Sequence, residues 1–350
     1  MNALVNFPAT GTGLSGLLYK ALQGVRQAQP RGNLRDWARL LNASEGDLQA
    51  ARIGNEDVRP LRDVFSVFYQ LSFLGEVAVT AYNDLGQVQH RGCFSAPDLC
   101  LDNPHQLGIQ FLTSGLHLKL RLEHWYWGCA ADDKLEFFTR QGRLFLAIRK
   151  TAETSESAWQ ELLNQYAEGS ASHKPLFEQP HHHPAEHPMP HDLELLEKEW
   201  RNMAGPEQLP QLLKRHHTTY FSALCCLGPK LARSVSLDSF EQLIQQAALL
   251  ELPLSLSMIS PGCVQTCRQA VIAPRLEQNK LELLWPQGHA QLDPGQFEFA
   301  FVTRKPRGDA WISSLEIFGA QGEMLLQIQG ATAPGKAENL RLRELMNSLG

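Results

Sequence analysis

The chain contains two stretches that align without a gap: residues 135–149, LEFFTRQGRLFLAIR, and residues 315–329, LEIFGAQGEMLLQIQ. Seven of the 15 aligned positions are identical, including Glu136 with Glu316 and Gly142 with Gly322. Each stretch reads as a strand, a tight turn that contains glycine, and a second strand. The match therefore predicts an internal duplication.

The elements around these hairpins repeat in the same order. A helical segment follows each hairpin, and helical segments also open each half, one of them capped by Ser44 with Asp47 three residues later. Alternating apolar and polar residues predict strands at 76–82, 108–127, 254–259 and 297–304. Runs of strands with helices grouped at the ends favour an antiparallel α+β fold over a parallel βαβ fold.

Residues 169–193 (GSASHKPLFEQPHHHPAEHPMPHDL) contain five prolines and little apolar periodicity, which predicts a linker. The chain then divides into a first half, 1–168, and a second half, 194–350. Clustered imidazoles bind metals or heme, but a solvated linker of variable sequence explains the same histidines. They are His173, His181, His182, His183, His187 and His191.

Composition excludes several classes of protein. The net charge of −5 gives no overall drive toward nucleic acid or an anionic membrane. The chain contains no run of 18 apolar residues, so the sequence predicts no membrane span. The first 24 residues lack the features of a secretory signal. Seven scattered cysteines without a CxxC pair indicate reduced thiols and a cytoplasmic location. At GxGxxG (11–16), the helix that follows leads only to more helix, with Asp36 within it, and not to the second strand with an acidic residue that a dinucleotide site requires.

Residues 199–216 (EWRNM…QLLKRH) resemble the opening of the second half in the bacterial cytoplasmic hemin-degrading factor family, whose members carry or break down heme. Residues 30–52, GCV at 262–264, FVTRKP at 301–306 and SLEIFGAQG at 314–322 resemble further stretches of that family in the same order. This resemblance covers nearly the whole chain, including the duplication and the linker. It implies two large antiparallel β-sheets flanked by helices, with heme held at the second half against a side chain from the first.

The resemblance places Glu207 where the family has its axial histidine, seven residues after Trp200. A carboxylate is a weaker axial donor to heme iron than an imidazole. Lys119, within residues 115–125, stands where the family has an arginine on the opposite face of the heme. Strand alternation places His117, Lys119, Arg121 and Glu123 on one face, a pattern that a polar stripe facing solvent explains equally well.

Other positions retain or lose family residues at the heme pocket. Lys305 and Gln327 match a pocket lysine and glutamine, whereas Gln329 replaces a tyrosine. Tyr220 replaces an arginine, and Ser257 replaces an aromatic wall residue. The resemblance thus assigns Lys119 and Lys305 to polar or propionate edges of heme, and Gln327 and Gln329 to the hydrogen-bonding lining.

Two histidines at the end of a predicted helix, His216 and His217, are further candidates for the iron ligand besides Glu207. His216 also fits a structural role, either as a cation at a helix C-terminus or as a buried, hydrogen-bonded ring.

These patterns predict a cytoplasmic heme-binding protein of heme uptake and iron acquisition, which carries heme or supports its degradation. A heme oxygenase or a heme importer is the expected partner. Loss of the axial histidine weakens the prediction of enzymatic ring opening. The alternative is a divergent, non-catalytic relative that has lost heme ligation and binds another ligand or a protein partner.

Overall fold

A computed structural model of the chain describes residues 12–103, 106–112, 116–169, 174–179, 186–269, 273–277, 280–331 and 337–350. Within these residues the helices are α1 (Thr12–Ala28), α2 (Leu34–Leu41), α3 (Glu45–Arg52), α4 (Val64–Gln70), α5 (Glu156–Tyr166), α6 (Leu193–Arg201), α7 (Leu209–Arg215), α8 (Tyr220–Cys226), α9 (Ser239–Leu249) and α10 (Leu340–Ser348).

The strands of the described residues are β1 (Val58–Pro60), β2 (Gly75–Asn83), β3 (Gly86–Cys93), β4 (Asp98–Asn103), β5 (Gln106–Leu112), β6 (Leu116–Arg121), β7 (Trp127–Ala131), β8 (Lys134–Phe138), β9 (Leu144–Thr154), β10 (Ala232–Val235), β11 (Leu254–Ile259), β12 (Cys263–Gln269), β13 (Ala273–Glu277), β14 (Lys280–Trp285), β15 (Gly288–Leu292), β16 (Phe299–Arg307), β17 (Ala310–Phe318) and β18 (Met324–Gly330).

These strands form two nine-stranded antiparallel sheets. Sheet I has the order β1-β7-β8-β9-β2-β3-β15-β14-β13, and sheet II has the order β10-β16-β17-β18-β11-β12-β6-β5-β4. Adding nine to each strand number of sheet I, and subtracting 18 where the sum exceeds 18, gives the strand order of sheet II. The predicted duplication is therefore confirmed. The α+β architecture of two large antiparallel sheets flanked by helices is confirmed as well.

The two halves of the chain exchange strands. Strands β4–β6 of the first half extend sheet II, and strands β13–β15 of the second half extend sheet I. The exchanged strands join at equivalent positions: His117 faces Thr266 across β6 and β12, and His289 faces Gln89 across β15 and β3. Each sheet therefore depends on both halves of the sequence.

The inner faces of the two sheets share one apolar core. Side chains such as Val79 and Val88 of sheet I and Leu118 of sheet II are fully buried in it. Gln265 links the sheets directly, because its Nε2 donates to the Val88 carbonyl at 2.9 Å. The outer faces carry the helices that open each half, with α3 against sheet I and α6 and α8 against sheet II.

Both repeated hairpins turn at a glycine with positive φ. Gly142 has a φ of 71° and Gly322 a φ of 68°, a region that residues with a Cβ rarely adopt. The turn at Gly142 also closes on α3, where a Cβ at position 142 would lie 2.1 Å from the Ser44 Oγ. The identical glycines of the two repeats thus mark a turn and a close approach.

Most of the local predictions are confirmed. The Ser44 capping box exists, with Asp47 N donating to Ser44 Oγ at 3.0 Å, and β11 occupies residues 254–259. The prediction of one continuous strand at 108–127 is wrong. Strands β5 and β6 pair antiparallel within it, so the chain reverses, and a 3-10 turn at Leu122–His124 removes Glu123 from the strand.

The proposed linker is described only in part. Residues 170–173 and 180–185, with His173, His181, His182 and His183, lie outside the described residues. Of the remainder, Phe177 packs against Trp127 and His187 packs against Phe221. In the described part of the chain, each helix is too short or too polar to cross a membrane.

Candidate functional site: the polar outer face of sheet II

Sheet II carries a row of polar residues on the face opposite the core. Directly paired residues of an antiparallel ladder share a face, so the strand register defines this row. It runs across six adjacent strands. The polar face of sheet II consists of Thr303 and Lys305 of β16, Ser314 and Glu316 of β17, Gln327 and Gln329 of β18, Ser255 and Ser257 of β11, Thr266 and Arg268 of β12, and His117, Lys119 and Arg121 of β6.

The register places the first-half strand beside the second-half strands on this face. Gln327 pairs with Ser257, Ser257 with Thr266, and Thr266 with His117. At about 4.8 Å per strand spacing, β6 lies roughly 14 Å from β18 and roughly 24 Å from β16. Lys119 and Lys305 therefore share a face but stand at its opposite ends.

Glu316 is the centre of a buried cluster at the β16 end. It is fully buried, and Lys305, which is 5% exposed, pairs with its Oε1. Tyr220 donates its hydroxyl to Oε2 at 2.6 Å, and Gln327 donates its amide to Oε1 at 2.8 Å. Thr303 and Ser314 complete the hydrogen bonds at 3.1 and 2.8 Å.

The charges of this cluster compensate one another. Burial by itself would raise the pKa of Glu316, but the charge of Lys305 and the hydrogen bonds from Lys305, Tyr220 and Gln327 outweigh it and lower the pKa. Burial and the Glu316 charge raise the pKa of Tyr220 well above its usual value. Glu316 is thus an anion, and Tyr220 is a neutral donor to it.

Aromatic side chains from the helices cover this end of the face. The Tyr220 and Trp200 rings stack at 6.2 Å with 2° between their planes, and the Lys305 ammonium lies 5.3 Å from the Tyr220 ring centroid. Trp200 is fixed because its indole nitrogen donates to the Arg304 carbonyl at 2.9 Å. The result is a rigid wall of stacked aromatics at the edge of the polar face.

The position predicted to hold the iron ligand lies between α6 and α7. Glu207 is exposed and sits in a 3-10 turn at Pro206–Gln208, after which α7 starts at Leu209 with Pro210 in its first turn. The segment is tied to the end of β16, because Gly308 N donates to the Ala204 carbonyl at 2.7 Å. Pro206 and Pro210 thus lie in the first turns of two short helical elements, where a proline is tolerated.

The two candidate histidines after α7 differ in environment. His216 is 8% exposed, and its Nε2 lies 3.1 Å from Glu199, which also pairs with Arg215 at 2.9 Å. His217 is exposed and adopts a φ of 47° just beyond the helix. The buried, hydrogen-bonded role predicted as one alternative for His216 is therefore present.

The first-half end of the face is cationic. Lys119 and Arg121 are half-buried on β6, and Arg268 is exposed on β12. His117 lies among them, opposite Thr266. The alternation of this strand was predicted correctly from His117 to Arg121, since Leu118 and Leu120 point into the core.

Lys305 and Gln327 meet at Glu316, a residue that sequence reasoning did not select. A signal for it existed in the repeat, where a charged residue interrupts an apolar strand at both Glu136 and Glu316. The first half builds a comparable cluster: Glu136 is buried, Lys134 binds it at 2.7 Å, and Gln49 of α3 donates to it.

Comparison with known proteins gives consistent matches. Residues 219–349 match the family model described as the haemin-degrading HemS.ChuX domain. The chain is 26% identical over 341 residues to the hemin transport protein HmuS of Yersinia pestis, covering 95% of this chain and 96% of that protein. It is also 26% identical to the hemin transport protein HemS of Yersinia enterocolitica over 340 residues, with the same coverage.

Among solved structures, the heme degrading enzyme ChuS of Escherichia coli O157:H7 superimposes with a TM-score of 0.86 at 26% identity, covering 96% of this chain and 99% of that one. The heme-binding protein PhuS of Pseudomonas aeruginosa gives the same TM-score and coverage at 23% identity, a likeness of fold. The second half of the chain therefore matches the haemin-degrading HemS.ChuX domain, and nearly the whole chain is similar to hemin transport proteins in sequence and to ChuS in its two-sheet fold.

Proposed function

We propose that this chain binds heme on the polar face of sheet II and carries it in the cytoplasm as part of heme uptake and iron acquisition. The proposal rests on the composition of the polar face of sheet II. This face joins first-half cations to a second-half aromatic wall on a scaffold shared with hemin transport proteins.

The residues present suit both the propionates and the porphyrin ring of a heme. Lys119, Arg121 and Arg268 offer cations to the anionic propionates. The partly exposed Tyr220 ring, which stacks on the fully buried Trp200, offers an aromatic surface to the porphyrin. The face also contains an unsatisfied acceptor and donor, because the buried Ser255 Oγ has no hydrogen-bond partner in the described part of the chain. Bound heme would supply a redox-active iron, and these residues would bind and orient it.

Individual roles follow from position. We assign Lys119 to the propionates, and Gln327 and Gln329 to the lining between the two ends of the face. Lys305 contributes through its ion pair with Glu316, which holds Tyr220 and Gln327 in place; its contact with a propionate remains a prediction. Glu207, His216 and His217 are the candidates for an iron ligand on the helical side of the face.

Carriage is favoured over ring opening. Glu207 is an exposed carboxylate where the family has an imidazole, and the His216 ring nitrogen is held by Glu199. Transfer to a heme oxygenase, or receipt from a heme importer, is the partner relationship that a carrier requires.

A second candidate function has its own support. A relative that has lost heme ligation would keep the fold, and the cations of its former heme pocket would serve only to stabilise that fold. Lys305, which is buried in an ion pair with Glu316, fits this description. Such a protein would use the face for another ligand or for a protein partner.

Hemin titration of the purified protein separates the two candidates. The proposal predicts a saturable Soret band with one hemin per chain, followed against a protein of unrelated fold at equal concentration. A spectrum that matches free hemin or the unrelated control at every ratio contradicts heme binding and favours the second candidate.

A further inference from the structure

His117 stands in the middle of the cationic end of the polar face. It belongs to β6, two residues before Lys119 on the same face, and pairs with Thr266 of β12. Its side chain is half-buried, yet its Nε2 is buried and has no hydrogen-bond partner among the residues that the structure describes. A buried ring nitrogen without a partner costs free energy, and a ligand atom that bonds to it recovers that cost.

The other candidate iron ligands are engaged, exposed or weaker donors. The His216 Nε2 faces the Glu199 carboxylate at 3.1 Å, so binding iron would break that contact. The His187 Nδ1 lies 3.3 Å from Thr219, and its ring packs on Phe221. His217 is exposed beyond α7, and Glu207 offers an exposed carboxylate. His117 differs from all of these, because its nitrogen is both on the polar face and unsatisfied.

The protonation state of His117 suits coordination. Burial lowers its pKa, and the charges of Arg268 and Lys119 lower it further. The ring is therefore neutral near pH 7 and keeps a lone pair, which is the form that binds iron.

The surroundings of His117 also suit the rest of a heme. Arg268 is exposed and Lys119 half-buried, and both side chains are long and flexible. Approach of iron to the buried nitrogen requires neighbouring side chains to move aside. Arg268 and Lys119 lie close enough to His117 for their charges to lower its pKa, and they offer cations to the propionates of a heme whose iron reaches this ring.

We propose that His117 is the axial ligand of the heme iron in this chain, provided from the first-half strand of sheet II in place of the helical ligand replaced by Glu207. This inference rests on the proposed heme binding. It assigns the ligand to the sheet side of the heme and so accounts for heme binding by a chain that resembles the family but lacks its axial histidine.

The chain offers a matched control in its other sheet. His289 occupies the position of sheet I that corresponds to His117, opposite Gln89 of β3, and burial likewise lowers its pKa. His117→Ala and His289→Ala therefore remove equivalent half-buried imidazoles from equivalent strands. His117→Gln provides a second variant that keeps a polar side chain, in case the alanine protein fails to fold.

The test is hemin titration of the wild type and the three variants, with absorption spectra of the oxidised complex and resonance Raman spectra of the reduced complex. Wild type and His289→Ala should show the iron–histidine stretching band. Either His117 variant should lose it and bind hemin about tenfold or more weakly, and added imidazole should restore the wild-type absorption spectrum.

The two possible failures are distinguishable. A folded His117 variant with the wild-type stretching band and affinity overturns the assignment of His117 while heme binding stands. Absence of a saturable Soret band in the wild type overturns the proposed function and the assignment with it.

Discussion

Lys305 and Glu316 form an ion pair that the fold excludes almost entirely from water. Lys305 is 5% exposed and Glu316 is fully buried, and the pair joins β16 to β17 at the point where Tyr220 of α8 reaches the sheet. Removing one member leaves a buried charge without compensation, which is more costly than the pair itself.

Glu316→Gln should therefore destabilise the protein by about 3 kcal/mol, measured as the free energy of unfolding in urea. Replacing both partners, Lys305→Met with Glu316→Gln, should recover a large part of that loss, because no buried charge then remains. Glu156→Gln, at an exposed ion pair with Lys150, should unfold like the wild type. A single Glu316 variant as stable as the wild type would show that the pair is not buried in solution.

The buried His90 should make the protein less stable in mild acid. It is fully buried in the core between the sheets, and burial lowers its pKa. A histidine with a depressed folded pKa contributes full stability above its unfolded pKa of about 6.5. Below that pH the unfolded state binds the proton more strongly, and stability falls by at most about 1.4 kcal/mol per pH unit for this group.

Unfolding free energies of wild type and His90→Gln at pH 7.5 and 5.5 test this prediction. The variant should lose less stability than the wild type between the two pH values, even if it is less stable at both. His117 and His289, whose pKa values burial also lowers, contribute equally to both proteins. Equal losses in the two proteins would exclude His90 as a source of acid sensitivity.

Replacing Gly142 by alanine should lower the stability of the protein, whereas the same replacement of a glycine within a helix should raise it. The Gly142 φ of 71° is strained for alanine by about 1–2 kcal/mol, and a Cβ would collide with the Ser44 Oγ that caps α3. Gly142→Ala should therefore lower the thermal midpoint. Gly24→Ala in α1, where a Cβ meets nothing within 4 Å, should instead stabilise by about 0.5–1 kcal/mol. An unchanged midpoint in Gly142→Ala would contradict the described turn.

Strand exchange predicts that the halves stay together after cleavage between them. A specific protease site in place of residues 181–185 should give two fragments that co-elute at the size of the intact chain. The reason is that β4–β6 complete sheet II and β13–β15 complete sheet I. Separation of the fragments without denaturant would show that the exchanged strands contribute little to association.

Local pattern was sufficient to predict much of the fold. The hairpins, the Ser44 capping box and the outward side of β6 depend on neighbouring residues, and each was predicted from alternation, turn glycines or cap spacing. The strand exchange depends on pairs such as His117 with Thr266, far apart in sequence. No local signal identifies such a partner, so the strand exchange could not be predicted from the sequence.

The sequence selected several residues of the polar face of sheet II but not the partners of these residues. Parity placed Gln327 and Gln329 on one face, and the family likeness selected Lys119 and Lys305. That Lys305 is held by Glu316 follows from a pairing across two strands, and the unsatisfied ring nitrogen of His117 follows from packing in three dimensions. Neither property has a pattern in the sequence.

Hemin titration of a charge-reversed pair of variants tests heme binding on the polar face of sheet II most directly. Lys119→Glu changes a cation on that face, and Arg149→Glu changes a cation on the outer face of sheet I, in β9. The expected result is one hemin per chain for wild type and Arg149→Glu, with binding by Lys119→Glu weakened about tenfold. Equal hemin binding by both variants and the wild type, or a stronger loss in Arg149→Glu, would contradict a heme site on this face.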